Sequence, residues 1–223
     1  MTPPGEPVAV PSPAGDLEGF LDRPADGGAP RGLAVVCHPH PLYGGSASNK
    51  VVVSVARECA AAGYLALRFN FRGVGRSPGA FDGGRGEGED VAAAVTRVRA
   101  LGGGARLPLL VAGFSFGAWV GLRVGLSDPR VDFLLGVGIP LKTLDFSYLS
   151  GARKPVLLLQ GEDDEFGSYS DLEAAAAAFS PACRTERIAG AGHFFHGRLA
   201  ELRDSVRRGL EALASLVAEG PEK

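Results

Sequence analysis

Ser115 lies in Gly113-Phe114-Ser115-Phe116-Gly117, with an apolar run before it and Ala118-Trp119-Val120-Gly121-Leu122 after it. A serine on a tight strand-to-helix turn needs small residues on both sides, because the turn is strained and its flanks press against neighbouring backbone. Its hydroxyl is a poor nucleophile until a base removes the proton, so a histidine and an acid to orient it are required. The four histidines are His38 and His40 before the serine, and His193 and His196 after it. The run Val156-Leu157-Leu158-Leu159-Gln160 leads into Gly161-Glu162-Asp163-Asp164-Glu165, and Arg187-Ile188 leads into Ala189-Gly190-Ala191-Gly192-His193-Phe194-Phe195-His196. The order serine, acid, histidine, with acid and base on loops after late strands, suits acyl transfer through a covalent intermediate. At this level any of the four acids and either late histidine would serve.

Other clusters invite different chemistry and fail on spacing. Gly73-Val74-Gly75-Arg76-Ser77-Pro78-Gly79 follows a strand-like run, but its third glycine comes one residue late for a dinucleotide fingerprint and Pro78 argues for a loop. It reads as a tight turn, with Arg72 tying loops together. His38 and His40, interrupted by prolines, complete no metal-ligand spacing, so no metal is expected. Cys37, at a strand end, reads as a small buried core residue.

The elements that must position these residues alternate. Apolar runs at 33–37, 64–71, 109–113, 133–137, 156–160 and 185–188 predict strands, and segments of helical spacing at 50–62, 89–101, 116–126, 171–179 and 197–218 predict helices. That alternation is the signature of an α/β fold, a mostly parallel twisted sheet with helices on both faces. Leu199, Leu202, Val206, Leu210, Leu213 and Val217 recur every three or four residues and should dock the last helix on the sheet. Asn49 is placed to cap the first helix. Residues 8–10 and 17–21, joined by a turn at 13–16, predict antiparallel edge strands. Residues 138–154 leave room for a loop or a short helix, not for a large lid domain.

The chain has 223 residues, 45% of them hydrophobic and 22% charged, with a net charge of −2. Such a balance excludes disordered, fibrous and membrane-spanning classes and lacks the basic face that tracks nucleic acid. No Pro/Gly-rich stretch separates two cores, so residues 1–223 are expected to form a single domain. Cys37, Cys59 and Cys183 give neither a disulfide framework nor a C-x-x-C pair, and the N-terminus has no basic or apolar leader pattern. These features predict a cytoplasmic protein in a reduced compartment.

Two further segments, Cys37-His38-Pro39-His40-Pro41-Leu42-Tyr43-Gly44-Gly45 and Arg68-Phe69-Asn70-Phe71-Arg72-Gly73-Val74-Gly75-Arg76-Ser77, join the serine motif and the two late loops. In this combination the chain resembles the α/β-hydrolase superfamily over nearly its whole length. It is most similar to small, lidless bacterial hydrolases related to dienelactone hydrolases and serine esterases. The resemblance implies that Ser115 is the nucleophile and His193 the general base, with His196 as the alternative. It implies Asp164 as the orienting acid, in the Gly-x-x-Asp register from Gly161, with Asp163 next and Glu162 and Glu165 solvated. Phe116 should give one oxyanion amide; for the second the candidates are His40, Leu42 and Tyr43, since Pro39 and Pro41 have no N–H, and His40 or Leu42 is expected. Pro39 stands where the superfamily usually has glycine. Dienelactone-type relatives carry cysteine at the nucleophile position, so their activity is not carried over to this serine.

The expected function is a carboxylesterase for short to moderate acyl esters, requiring no cofactor, with Tyr43, Phe114, Phe116, Phe166, Phe194 and Phe195 as apolar walls. A peptidase or thioesterase with the same triad, and a non-catalytic binding protein that kept the fold, are the alternatives. The expected partner is a small-molecule ester, with neither nucleic acid nor membrane; an edge strand or the Phe-rich rim is where a homodimer would form.

Overall fold

The computed structural model describes residues 5–103 and 106–218. Among them eight strands form one sheet: β1 (Glu6–Ser12), β2 (Gly15–Asp22), β3 (Gly32–Cys37), β4 (Tyr64–Phe69), β5 (Leu109–Phe114), β6 (Phe133–Val137), β7 (Val156–Gly161) and β8 (Cys183–Ile188). Their order is β1-β2-β4-β3-β5-β6-β7-β8. The first two are antiparallel, β2 runs antiparallel to β4, and β4, β3, β5, β6, β7 and β8 are mutually parallel. Every residue of β3, β4, β5 and β6 is buried. This is why they read as unbroken apolar runs: a parallel sheet covered on both faces leaves no solvent face for polar residues to alternate onto.

The helices are α1 (Lys50–Ala61), α2 (Arg85–Leu101), α3 (Phe116–Ser127), α4 (Tyr169–Ala176) and α5 (Leu199–Ala218). The period of two along the strands sends Leu33, Val35, Leu109 and Val111 to a core with Val91, Val95 and Val98 of α2 and Val120 and Leu122 of α3. Ala34, Val36, Leu110 and Ala112 face the other way, against Val52 and Val55 of α1 and Leu202, Val206 and Leu210 of α5. The side chains of Leu213 and Val217, counted on the same stripe, lie outside the described residues. So do Met1, Thr2, Pro3 and Pro4 of the N-terminal reading. Asn49 caps α1 as expected, its Oδ1 accepting from Val51 N at 2.9 Å.

Several boundaries differ from the sequence expectation for local reasons. The strand expected over 64–71 leaves the ladder after Phe69, where the Asn70 side chain accepts from Ala47 N at 2.7 Å and donates to Glu18 at 2.8 Å. The helix expected from residue 89 starts at Arg85, inside a glycine-rich segment. The Glu87 carboxylate accepts from Asp82 N at 3.0 Å and Gly84 N at 2.7 Å, capping the first turn that propensity disfavours. The Arg72 guanidinium packs directly over Gly86, in the space a Cβ would take, so a side chain there would displace it. That guanidinium also holds Asp90 and Glu89, so Arg72 ties its turn to α2. The fourth helix starts two residues early, at Tyr169, because Ser168 and Asp171 cap each other, and it ends at Ala176. The link from β6 to β7 carries only a 3-10 turn at Ser147–Gly151. No lid domain occurs among the described residues, nor any helix long and apolar enough to cross a membrane.

Candidate active site

The C-terminal ends of β3, β5, β7 and β8 open on one edge of the sheet, and each feeds a loop into the same place. Ser115 follows β5 directly with φ 56° and ψ −121°, a left-handed conformation that L-residues avoid unless their surroundings enforce it. The enforcement is local. Ser115 N donates to Val137 O of β6 at 2.9 Å, and Ala118 N and Trp119 N both donate to the Ser115 carbonyl, starting α3 one residue later. The flanking glycines leave no alternative: a Cβ on Gly113 would lie 2.3 Å from Gly117 O, and one on Gly117 would lie 2.3 Å from His38 O. The hydroxyl is therefore lifted to the sheet edge while the residue stays only 8% exposed.

Asp164 and His193 are 1% and 4% exposed. His193 Nε2 lies 3.0 Å from Ser115 Oγ, and His193 Nδ1 lies 2.9 Å from Asp164 Oδ2. Facing a carboxylate, Nδ1 carries the ring proton; Nε2 is then the free lone pair that accepts from the serine hydroxyl. The structure thus brings Ser115, Asp164 and His193 into one hydrogen-bonded chain. Asp163 points outward, using its backbone N to reach Ala191 O at 2.9 Å. His196 is exposed and stacked on Phe194 at 5.8 Å.

Glu162 and Glu165, expected to be solvated, keep contact with solvent, Glu165 exposed and Glu162 half-buried, and are also hydrogen-bonded to the base loop. Glu162 accepts from Gly190 N and the Arg187 guanidinium, both at 2.9 Å, and Glu165 accepts from His193 N at 3.1 Å. All four acids of this loop therefore bond to the segment that carries the base, two through carboxylates that sequence reasoning left unassigned. The loops also touch closely enough that a Cβ on Gly161 would come 2.4 Å from Ala191 O. Beyond the histidine, Phe195 adopts φ 52° and is fully buried, nailing the loop to the α5 side of the sheet.

Three phenyl rings surround the imidazole, with centroids at 4.6 Å for Phe166, 5.0 Å for Phe114 and 5.1 Å for Phe194. Phe166 and Phe194 are exposed, whereas Phe114, Phe116 and Phe195 are buried. The buried three, expected as walls, form the support beneath the site. Tyr43 is 85% exposed and Leu42 67%, and together with Phe166 and Phe194 they are the large exposed apolar side chains of the described residues.

The loop after β3 is organised by His38. Its Nε2 accepts from Phe71 N at 3.0 Å, so its proton is on Nδ1, which donates to the Pro39 carbonyl at 2.6 Å. Burial pushes its pKa down to about 4, which keeps it neutral. Because C=O and the following N–H point to opposite sides of a trans peptide, holding the Pro39 carbonyl turns the His40 N–H away from His38. Leu42 N is committed to His40 Nδ1 at 3.2 Å, and Tyr43 N to the His40 carbonyl at 3.1 Å. Among the described residues the amides of His40 and Phe116 donate to no acceptor, and the two side-chain rings lie 4.9 Å apart. Phe116 is the first residue of α3, where unpaired N–H groups and the helix dipole favour negative charge. Cys37 beneath is fully buried, and burial drives its thiol well above the usual range, away from nucleophilic chemistry.

Sequence reasoning missed a buried polar group that touches the acid. Gln160, the last polar residue of an apolar strand, is fully buried and donates to Asp164 Oδ2 at 3.0 Å. The signal available was its position, a polar side chain ending a run of leucines.

The chain matches the model of an alpha/beta hydrolase domain over residues 40–218. An uncharacterized protein of Rickettsia prowazekii is 35% identical over 202 residues, covering 87% of this chain and 84% of its own length. Among solved structures, an alpha-beta serine hydrolase homologue from Coxiella burnetii superposes with a TM-score of 0.85 at 37% identity, covering 94% of this chain and 99% of that one. A serine hydrolase without lid from Xanthomonas campestris gives a TM-score of 0.84 at 33% identity, with 95% of each chain covered.

Proposed function

This chain belongs to the alpha/beta hydrolase family, and from that premise we propose that it is a serine hydrolase cleaving carboxylic esters of short to moderate acyl chains. The observation that carries the reading is the hydrogen-bonded chain from Ser115 Oγ through His193 to Asp164, at 3.0 Å and 2.9 Å. Relatives above 30% identity described as serine hydrolases support it.

In this reading Ser115 Oγ attacks the ester carbonyl carbon while His193 Nε2 takes its proton, and Asp164 stabilises the resulting imidazolium. The carbonyl oxygen becomes an oxyanion held by the Phe116 and His40 amides, neither of which donates to an acceptor among the described residues. Collapse of the tetrahedral intermediate breaks the bond to the alcohol oxygen, which leaves with the proton from His193. Water, deprotonated by the same imidazole, then hydrolyses the acyl-enzyme and restores Ser115. Tyr43, Phe166 and Phe194 form the apolar rim that receives the acyl group, and the absence of a lid among the described residues favours chains of modest length.

The test is hydrolysis of p-nitrophenyl esters from acetate to laurate by the wild type and Ser115→Ala, with fluorophosphonate labelling alongside. Activity on the short esters and labelling, both lost in the variant, are expected. Activity that persists in Ser115→Ala, or a preference for the longest chains, would overturn the reading.

A further inference from the structure

We propose that Gln160 is a positioning residue for the acid and base, fixing the Asp164 carboxylate so that Oδ2 faces His193; this rests on the triad reading above. The side chain is fully buried at the end of β7, and it is enclosed by three acceptors and one donor. Its Nε2 faces Asp164 Oδ2 at 3.0 Å, Ile139 O at 3.3 Å and Gly167 O closely, while its Oε1 accepts from Ile139 N at 2.9 Å. The amide can be oriented only one way: reversed, its oxygen would face a carboxylate and two carbonyls and its NH2 would face an N–H.

One side chain thus joins three segments, the loop after β6 at Ile139, the acid itself, and Gly167 beyond it. Asp164 Oδ2 accepts from both Gln160 and His193 Nδ1, and Oδ1 accepts from Phe166 N at 2.9 Å. With the Phe166 amide on one oxygen and Gln160 on the other, the carboxylate plane is set before His193 arrives. Each bond removes a rotation that would otherwise turn Oδ2 away from the imidazole. Ile139 and Gly167 offer only backbone groups to Gln160, so Asp164 is its charged neighbour and His193 is reached through it.

Two variants separate this from a merely structural role. Gln160→Met removes the donor at similar volume. It is expected to lower kcat by up to about 100-fold, the scale of a misplaced catalytic group, with KM near wild type and the acid limb of the pH profile moved to higher pH. Gln160→Glu, when protonated, keeps an O–H for Asp164 and a carbonyl for Ile139 N; when ionised, it sets a second carboxylate against Asp164. Its kcat should therefore fall on the alkaline side where wild type holds a plateau, and the low-field 1H signal of the His193 Nδ1 proton should move or broaden with it. Since Gln160→Glu is compared with itself across pH, its result stands even if Gln160→Met fails to fold. Unchanged pH profiles in both variants, or losses that only track a lowered Tm, would overturn the proposal. That failure is distinct from failure of the triad reading, which Ser115→Ala decides in the wild-type background.

Discussion

The two sides of Ser115 are held by different means. On one side the loops after β7 and β8 are joined by hydrogen bonds at four successive acidic residues, with Gln160 fixing the carboxylate from beneath. On the other, residues 38–43 of the loop after β3 are held by one neutral buried histidine and by packed rings, His40 against Tyr43, Phe81 and Phe116 at 4.6–4.9 Å, while Asn70 and Arg68 bond the loop farther along, at Ala47. In the proposed mechanism the difference follows from what each side is asked to do. A proton relay depends on the direction of several polar atoms at once, and hydrogen bonds fix direction. Receiving charge on a backbone amide depends on one peptide plane, which a single bond to its carbonyl sets while apolar contacts keep the loop in place.

The largest effect should come from the relay. His193→Ala removes the base and should lower kcat by about a millionfold, as loss of one member of such a unit does; steady-state hydrolysis of a short p-nitrophenyl ester measures it. A loss below a thousandfold would show that the proton goes elsewhere. Next comes the opposite side: His38→Ala frees the Pro39 carbonyl and should lower kcat about 100-fold, the size of one lost oxyanion donor, with KM little changed. If only Tm falls, His38 supports the fold and not the charge.

The same histidine predicts acid sensitivity. Its folded pKa of about 4 lies below its ordinary value of 6.5, so the unfolded chain binds the extra proton between those values. Stability is full above pH 6.5 and is lost as pH falls toward 4, by about 2 kcal/mol between pH 7 and pH 5. Urea melts at the two pH values, with His38→Gln as the reference that should lack this component, test the sign. The smallest effect belongs to Glu165→Gln, which weakens one bond to His193 N at an exposed carboxylate. About 1 kcal/mol, or roughly fivefold in kcat, is expected, and a larger loss would give Glu165 a direct part in the reaction.

These contrasts also explain what was legible in the sequence. Strands buried on both faces spell themselves as apolar runs, and Ser115 announces its turn through glycines that have no room for a side chain. The start of α2 was hidden because the Glu87 carboxylate, not helix propensity, makes its first turn. Gln160 was hidden for another reason. Its side chain is unremarkable by type and acquires its role only when Ile139, Asp164 and Gly167 meet around it, a meeting that spacing along the chain does not encode. The choice among Glu162, Asp163, Asp164 and Glu165 had the same character, since all four residues reach the base loop, Asp163 through its backbone N and the other three through carboxylates aimed at different atoms.

The crowding around Ser115 also bears on how this protein could be altered in the laboratory. Gly113, Gly117 and Gly161 each have backbone within 2.4 Å of where a side chain would begin, so randomising them would return non-functional clones. Leu42, Tyr43, Phe166 and Phe194 are exposed and contribute little to folding; Phe166 and Phe194 flank the His193 imidazole, and Tyr43 packs on His40. On the proposed ester-cleaving reading, a library confined to those four positions would change which acyl groups are admitted while leaving the backbone frame intact, a separation of tolerance from constraint.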